Sequence, residues 1–429
     1  MTTGVLDSKL LSKIIDGVPN YILAALSMLI FAWIILPSFR LAFVEPYAGA
    51  ITLILTAALA LFNPYMRSNI RRIYIVILSV CIITFFVPSG FIFNIGFLPL
   101  IEYSIFAFPA ILAYVLISER KNTIILSLMA FLAVLVIMVI KSTMQVLIDY
   151  PSAARDLAQG IETPQLMEWR MNNVGGFGFA YGVAAIGFLL LSLIMKKSNI
   201  VFKTAYIALF VYVSTFIFLA QYTTLLVFYT LGIAFLLFRR INSSALRLIL
   251  IITGIIILAS LKDIMYELAN YCNANDLAAL GHHFDDFGDA ISGKDLRSSR
   301  NDLAKRAIDV WLESPIWGVP NSKIPGNVNY LAVMEAHSGV ASILGSTGIL
   351  GLSLTLGFFY LLWKLLRNTL IHRGFSALGL DVSTIFMLIV FFINPIFSAP
   401  EISVTTFFIV PAVTYLLNIR NGKEKALAR

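Results

Sequence analysis

The sequence predicts an all-α polytopic membrane protein, and three observations support that prediction. Of the 429 residues, 59% are hydrophobic and only 13% are charged, against about 25% charged in an average soluble domain. The mean hydropathy is +0.89. The two cysteines, Cys81 and Cys272, are too few for a disulfide framework, and an internal bridge between them is not expected. Together these features exclude a soluble globular protein, a disordered chain and a disulfide-rich secreted scaffold.

Twelve apolar runs are long enough to form membrane-spanning helices, which need about 20 apolar residues each. No small-residue cleavage site follows the first run, so we interpret it as a helix and not as a removed signal peptide. We therefore expect one integral membrane domain over residues 1–429. The predicted spans are 20–36, 43–62, 73–88, 101–118, 122–140, 174–195, 200–219, 221–238, 246–261, 340–363, 382–399 and 402–418.

The distribution of Lys and Arg orients these spans. With the N-terminus in the cytoplasm, twenty of the 31 basic residues fall in inner segments, and ten of the other eleven fall in two long outer loops. Long loops are exempt from the positive-inside rule, which leaves Arg40 as the exception among the short outer loops. The pattern predicts a cytoplasmic N-terminus and a cytoplasmic C-terminus. It also accounts for the net charge of +8 without a nucleic-acid partner.

The two long outer loops, 141–173 and 262–339, are the predicted places for function. Long loops among otherwise short connections commonly carry binding or catalytic residues. The second loop lies between helices 9 and 10 and contains 11 acidic and 7 basic residues. The span interiors contain almost no ionisable residue, whereas ion-driven transporters usually need one near the membrane midplane. The sequence therefore favours chemistry at the outer face.

Arg297 and Arg300 in the large loop are candidate diphosphate-binding residues. A guanidinium group stays charged and binds phosphate oxygens in a bidentate manner, so an arginine pair at the outer membrane surface suits a lipid diphosphate. Pairing with loop carboxylates or lipid headgroups is the alternative. Lys305 and Arg306 have Asp neighbours four residues away on a predicted helix, and we interpret them as surface charges.

A short amphipathic helix over residues 301–313 is predicted to lie on the membrane or under the large loop. Its apolar residues recur at helical spacing. They are Leu303, Ala307, Val310 and Trp311.

His337 is the candidate catalytic residue. It comes immediately before the tenth predicted span, and a helix N-terminus has free N–H groups and a partial positive charge that favour an anion. An imidazole with a pKa of about 6.5 can accept a proton from a sugar hydroxyl or donate a hydrogen bond to a phosphate. The alternative is an interfacial histidine that caps the helix together with Ser338.

Arg170 and the glycine-rich run after it form a second candidate region, at the end of the first outer loop. Arg170 is expected at the outer mouth of the sixth span, where the glycines of the run 175–178 would let another helix or a lipid chain approach the backbone. An interfacial anchor above a glycine hinge is the alternative. His282 and His283 lie beside acidic residues, but their spacing matches no strong metal motif, so we predict neither a metal site nor a cofactor.

The run Ser314–Gly318, followed by His337-Ser338, by Gly345 and by Gly348–Leu352, resembles a pattern of the O-antigen ligase and polymerase superfamily. The entry to the sixth span, Asn172–Gly176, is more similar to repeat-unit polymerases of the Wzy type than to ligases. The topological resemblance covers nearly the whole chain, and the motif resemblance covers mainly residues 297–352.

This resemblance implies a GT-C-type glycosyltransferase on the outer face of a bacterial cytoplasmic membrane. The donor would be a glycan on undecaprenyl diphosphate, and the acceptor would be a second lipid-linked repeat unit, joined with inversion and without a metal. Arg297, Arg300 and Arg170 would hold the diphosphate, taking the place of a divalent cation in stabilising the leaving group. His337 would activate the acceptor hydroxyl or steady the diphosphate. A protein that regulates chain length is a further expected partner.

Two other functions stay open. A ligase of the same superfamily would transfer the polymer to a lipid A core. A transporter or flippase would move a lipid-linked glycan, and twelve spans suit that class. The scarcity of ionisable residues in the spans and the long outer loops favour an enzyme over a transporter.

Overall fold

The computed structural model describes most of the chain, and all structural statements below concern that part. Every regular element in it is helical, which confirms the all-α prediction. The described residues are 8–43, 45–62, 67–86, 93–150, 153–157, 163–196, 199–220, 222–241, 243, 245, 248, 252, 259–275, 277, 281–282, 284–285, 288–289, 299–319 and 338–427.

Seventeen α-helices and one π-helical segment make up the fold in these residues. The first nine are α1 (Ser8–Ile35), α2 (Pro37–Ala42), α3 (Glu45–Phe62), α4 (Arg67–Phe86), α5 (Phe93–Ser118), α6 (Asn122–Asp149), α7 (Ala153–Asp156), α8 (Pro164–Met171) and α9 (Phe177–Ile194). The others are α10 (Ile200–Leu219), α11 (Thr223–Arg240), α12 (Leu261–Ala274), α13 (Ser299–Glu313), α14 (Gly339–His372), α15 (Leu378–Ile393), α16 (Glu401–Ser403), the π-helical segment Val404–Ile409 and α17 (Val410–Leu427).

Six of the helical stretches are long and apolar enough to cross a membrane, which supports a membrane-embedded helical protein. They are Leu100–Ser118, Asn122–Asp149, Phe177–Ile194, Ile200–Leu219, Gly339–His372 and Glu401–Ile419. Three shorter apolar helices also coincide with predicted spans, namely Asn20–Ile35, Tyr47–Ala57 and Leu378–Ile393. Of the other three predicted spans, 73–88 and 221–238 fall largely on α4 and α11, and 246–261 lies mostly outside the described residues.

Helix ends differ from the predicted ones in two places that matter for the outer loops. α6 continues to Asp149, so the predicted first outer loop starts at 150 and not at 141. The exposed Lys141 suggested a helix end at 141, but Thr143 and Leu147 continue the buried face of α6 beyond it. α15 ends at Ile393, short of the predicted 399, because the residue before a proline is driven out of the helical region. Asn394, which precedes Pro395, is extended accordingly, with φ −147° and ψ 150°.

The centre of the bundle is formed by α5, α9 and the C-terminal stretch Glu401–Ile419. In the most apolar parts of these three, 78%, 78% and 72% of the residues are buried, against 17% in α10. α9 contacts α10, α11, α15, α16 and the π-helical segment. The apolar exposed surface of α10 is therefore the kind of surface that faces lipid.

Two contacts between distant segments lie at opposite ends of this bundle. At one end, the Ser38 hydroxyl donates to the Asn173 side-chain oxygen at 2.7 Å. At the other end, Arg373 Nη2 donates to the Ser118 carbonyl oxygen at 2.7 Å. The first contact joins two predicted outer segments, and the second joins two predicted inner segments.

Candidate functional site

The structure describes the four predicted site residues to different extents. Arg297 and His337 lie outside the described residues. Arg300 lies in the first turn of α13, and its side chain is not among those described. Arg170 lies half-buried in the last turn of α8. The location of the candidate site therefore depends on the elements that carry Arg170, Arg300 and Ser338, the neighbour of His337.

α8 is a short helix with well-formed ends, and it presents Arg170 next to a sharp corner. The Thr163 side chain accepts a hydrogen bond from the Leu166 N–H and caps the start, as hydroxyl side chains do at helix N-termini. At the other end Asn173 takes a left-handed conformation with φ 58°. Its N–H donates to the Arg170 carbonyl at 3.0 Å, while the Val174 N–H donates to the Trp169 carbonyl at 2.9 Å. This pair of bonds is a Schellman motif.

The corner after α8 is fastened to the start of α2. The Asn173 side-chain oxygen accepts hydrogen bonds from the Ser38 N–H at 3.1 Å and from the Ser38 hydroxyl at 2.7 Å. It therefore caps α2 from a distant part of the chain, in the way that a local N-cap residue would. α2 and α8 also contact each other. The predicted first outer loop and the short loop after the first span thus form one unit.

α2 carries Arg40, which makes an ion pair that the sequence analysis did not foresee. Arg40 Nη2 donates to Glu401 Oε1 at 2.7 Å and to the Ile34 carbonyl at 2.6 Å. The guanidinium also lies over the Trp33 ring, 5.2 Å from its centroid. The side chain of Arg40 is 32% exposed and that of Glu401 is 11% exposed. We call this contact the Arg40–Glu401 ion pair.

Glycines on α9 make room for Glu401. A Cβ on Gly178 would lie 2.5 Å from Glu401 Oε2 and 2.7 Å from Ala399 Cβ, and a Cβ on Gly182 would lie 3.1 Å from the Glu401 carbonyl. The glycine-rich run was expected to let either another helix or a lipid chain come close to the backbone. At Gly178, another segment of the chain comes close. Among the described residues, Glu401 Oε2 and Arg40 Nε are buried without a hydrogen-bond partner. The carboxylate is therefore held by one strong contact and by tight packing.

Two signals in the sequence could have revealed this pair. Arg40 was the one basic residue in the short outer loops, an exception that called for a partner. Glu401 follows Pro400 between two apolar runs, and charged residues near spans are usually paired. Neither signal alone specifies the other residue.

The second feature at this end of the bundle is a break in α14. Gly348 has φ 65° and ψ −165°, outside the helical region, within the first third of a helix of 34 residues. Such a break leaves N–H groups after it and carbonyl groups before it without helical partners. Buried groups of this kind need other partners.

The turn Ser314–Val319, which follows α13, fills this break with its own backbone. We call the contact between this turn and the break at Gly348 the glycine clasp. It brings together the run Ser314–Gly318 and the glycines of α14 that carry the family resemblance. Its backbone hydrogen bonds are Ile349 N–H to Pro315 oxygen at 3.0 Å, Leu350 N–H to Ile316 oxygen at 3.3 Å, and Val319 N–H to Gly345 oxygen at 2.7 Å.

Both sides of the glycine clasp require glycine. Gly318 has φ 71° and Gly348 has φ 65°, a region that residues with a Cβ rarely adopt. A Cβ on Gly318 would lie 2.3 Å from the Thr347 nitrogen, and one on Gly348 would lie 2.3 Å from the Ile316 carbonyl oxygen. No side chain other than hydrogen fits at either position without movement of backbone.

α13 packs along the first part of α14, so the predicted helix is confirmed. Its Ala307 is buried against Ala341, and Val310 packs against Val319. Trp311 Nε1 donates to the Pro315 carbonyl at 2.9 Å. The amphipathic helix is therefore held by α14, a neighbour that the sequence pattern did not specify.

The contacts advance in the same direction along α13 and α14. Ala307 meets Ala341, and the turn that follows α13 meets the Gly348 break that follows in α14. The two helices therefore run parallel, and both begin at the same end. Arg300 precedes Ala307 by seven residues, about 10 Å along a helix axis, and Ser338 precedes Ala341 by three.

Ser338 ties the start of α14 to α15. Its hydroxyl oxygen accepts from the Ala341 N–H at 3.2 Å, so Ser338 is the N-cap, and it donates to the Phe392 carbonyl at 2.6 Å. Capping by Ser338 was the alternative interpretation of this sequence, and it is confirmed for Ser338 itself. Because Phe392 lies near the end of α15, which leads to Glu401, the glycine clasp and the ion pair share one end of the bundle.

The described residues contain no group of three or more His, Cys, Asp or Glu side chains that could hold a metal ion. Cys81 and Cys272 are both free thiols. Comparison of the chain with protein-family models, with curated proteins and with solved structures finds no match. The proposed function therefore rests on the residues and contacts of this chain.

Proposed function

We propose that this chain is a polysaccharide repeat-unit polymerase on the outer face of a bacterial cytoplasmic membrane. It would span the membrane about twelve times, with a GT-C-type architecture and both termini in the cytoplasm. The observation that supports this most is the glycine clasp. It joins Ser314–Gly318 to Gly345–Leu352, two runs that carry the resemblance to the O-antigen ligase and polymerase superfamily, and the Asn172–Gly176 run favours a polymerase within it.

The clasp also supports a shared location for Arg300 and the start of α14. Parallel packing of α13 and α14 puts Arg300 at the same end as Ser338, whose chain neighbour is His337. In the proposal, Arg300 and Arg297 bind the diphosphate of the lipid-linked donor, and Arg170 contributes from the first outer loop. Guanidinium groups suit this role because they bind phosphate oxygens in a bidentate manner and keep their charge.

The proposed reaction is an inverting glycosyl transfer. A hydroxyl oxygen of the acceptor repeat unit attacks the anomeric carbon of the donor glycan. The bond from that carbon to the phosphate oxygen breaks, and undecaprenyl diphosphate leaves with the electron pair. His337 accepts the proton of the attacking hydroxyl. The arginines stabilise the negative charge that develops on the diphosphate.

The way the break in α14 is filled favours an enzyme over a transporter. In many transporters a broken helix points free N–H groups at the substrate. Here the N–H groups of Ile349 and Leu350 donate to the carbonyls of Pro315 and Ile316. These groups are therefore not free to bind a transported ligand.

Purified protein in nanodiscs, supplied with a lipid-diphosphate-linked repeat unit and EDTA, tests the proposal. We expect a ladder of products spaced by one repeat unit. Transfer of glycan to an added lipid A core without a ladder would make the protein a ligase. Movement of the lipid-linked unit across liposomes, without either product, would make it a transporter.

Substitution of single arginines on α13 gives a matched control. We expect Arg300→Ala to reduce ladder formation at least about 100-fold, the usual size of an effect from a lost charge-stabilising group. Arg306→Ala, on the exposed surface of the same helix, should leave it within about twofold. His337→Ala should abolish long products. Normal chain length in both the Arg300 and the His337 variants, with the protein inserted, would refute the assignment.

A further inference from the structure

We infer that Gly318 and Gly348 are positioning residues of the reaction, because the glycine clasp keeps α13 fixed against α14 throughout it. This inference rests on the proposed function. It assigns a role to two residues that do not touch the substrate. It also means that the diphosphate-binding end does not open and close as a lid.

Opening the glycine clasp would leave backbone polar groups without hydrogen-bond partners. The N–H groups of Ile349 and Leu350 and the carbonyl of Gly345 would each lose a backbone hydrogen bond. The Gly318 backbone fills the break, so the break cannot close into a regular helix while the clasp is formed. The fit is tight, because a Cβ added to either glycine would lie 2.3 Å from a neighbouring backbone atom. Unsatisfied backbone groups are costly in protein interiors and more so next to lipid.

α13 is also held by the contact between Ala307 and Ala341, which lies outside the glycine clasp, whereas Val319 belongs to the clasp turn. Ala307 is fully buried beside Ala341, and Val310, 4% exposed, packs against Val319. Two separate attachment points along one helix prevent both translation and rotation. The start of α13, with Arg300, therefore keeps a constant position relative to the start of α14.

A constant position matters because catalysis is sensitive to small displacements. A misplacement of about 1 Å can lower the rate about 100-fold even when it arises far from the reacting atoms. The proposed chemistry needs the arginine-bound diphosphate and the acceptor hydroxyl near His337 at a fixed separation. The glycine clasp is the described element that sets the spacing of the two helices on which these groups depend.

The first test replaces the glycines one at a time. We expect Gly348→Ala to lower kcat about 100-fold, with the donor KM changed only a few-fold because the binding arginines remain. Two controls isolate the contact. A Cβ on Gly357, later in the same helix, meets nothing within 4 Å, and Gly374 has φ 74° but is equally open. Both alanine variants should keep activity within about twofold.

The second test cross-links the two helices. Ala307→Cys and Ala341→Cys are combined in a chain that also carries Cys81→Ser and Cys272→Ser, so that neither native thiol can react. We expect a disulfide to form in high yield, measured by mass spectrometry, and the oxidised protein to keep its full activity. In the Gly348→Ala background, oxidation should restore most of the lost kcat, and reduction should remove it again.

Three outcomes would overturn these assignments in different ways. Loss of activity on oxidation that returns on reduction would show that α13 must move. A low disulfide yield in an active protein would show that α13 is not held beside α14. Absence of a product ladder from the wild-type protein would refute the proposed function, whatever the disulfide yield.

Discussion

The glycine clasp and the Arg40–Glu401 ion pair fasten loops at the same end of the bundle by opposite means. The clasp joins chain segments that are close in sequence and uses only backbone groups and two glycines. The ion pair joins residues 361 positions apart and uses full charges. The clasp is specific because only one backbone shape fits. The ion pair is strong because its charges are partly removed from water.

The two regions should therefore fail differently when they are altered. Removing one member of a buried pair leaves a charge without compensation and costs about 3–5 kcal/mol. Adding a methyl group where backbone leaves no space forces a local shift and costs about 1–3 kcal/mol. We expect the ion pair to dominate stability and the glycine clasp to dominate activity.

The largest expected effect on stability is that of Glu401→Gln. This variant keeps the shape of the Glu401 side chain, which is only 11% exposed, but leaves the Arg40 guanidinium without its carboxylate. We expect the free energy of unfolding in mixed detergent micelles to fall by about 3 kcal/mol. The control is Glu119→Gln, since Glu119 pairs with Lys121 at 3.8 Å and both side chains are about a third exposed. It should cost less than about 1 kcal/mol.

Equal losses in the two variants would mean that the Arg40–Glu401 ion pair behaves as an ordinary surface pair. Charge burial would then not set the stability contribution of the ion pair apart from that of the glycine clasp.

The sequence predicted those parts of the two regions in which apolar residues recur with a regular period. The α13 helix followed from apolar residues at helical spacing, and Ala307 and Val310 are indeed buried. The two glycine runs were also visible. The sequence did not show that one of these runs fills a break in α14. A glycine pattern permits another backbone to approach closely but does not specify which segment does so. The proposed roles of Arg297 and His337 stay predictions, since both residues lie outside the described part of the chain.

The ion pair and the true helix lengths were beyond reach for other reasons. Residues as distant as Arg40 and Glu401 are brought together by the packing of several helices, which no local pattern encodes. α6 appeared to end at Lys141, but this lysine lies on the exposed face, where a charge does not interrupt the helix. Polarity at one position is therefore a weaker sign of a helix end than a change of periodicity on the buried face.

Gly178→Ala is expected to have the next largest effect, and it sharpens the comparison by placing a methyl group beside the ion pair. The new Cβ would lie 2.5 Å from Glu401 Oε2 and 2.7 Å from Ala399 Cβ. We expect a loss of about 2 kcal/mol. Gly379→Ala, whose Cβ would make ordinary contacts at 3.6 Å and beyond, should cost less than about 1 kcal/mol.

The double variant Gly178→Ala with Glu401→Gln shows whether the two effects share a cause. If Gly178→Ala acts by displacing the carboxylate, the losses should be less than additive. Full additivity would instead assign the loss to the contact with Ala399.

Asn173 tests whether the corner after α8 depends on backbone shape or on hydrogen bonding. Asn173→Ala removes both hydrogen bonds to Ser38 and places a Cβ residue without a polar side chain at φ 58°. We expect a loss of about 2 kcal/mol, from the bonds and the strain together. Asn173→Gly removes the bonds but accepts the backbone shape, so it should cost about 1 kcal/mol. Equal losses in the alanine and glycine variants would mean that the left-handed conformation at Asn173 does not affect stability.

The smallest effect expected is that of Ser338→Ala, at the start of α14. This variant removes the N-cap bond to the Ala341 N–H and the bond to the Phe392 carbonyl, and loss of an N-cap costs about 1 kcal/mol. Ser353→Ala, later in the same helix and exposed, should change the free energy of unfolding by less than about 0.5 kcal/mol. The loss at Ser338 should stay small because the glycine clasp still holds the first half of α14. A loss above about 3 kcal/mol would show that the cap, and not the clasp, keeps this half of the helix in place.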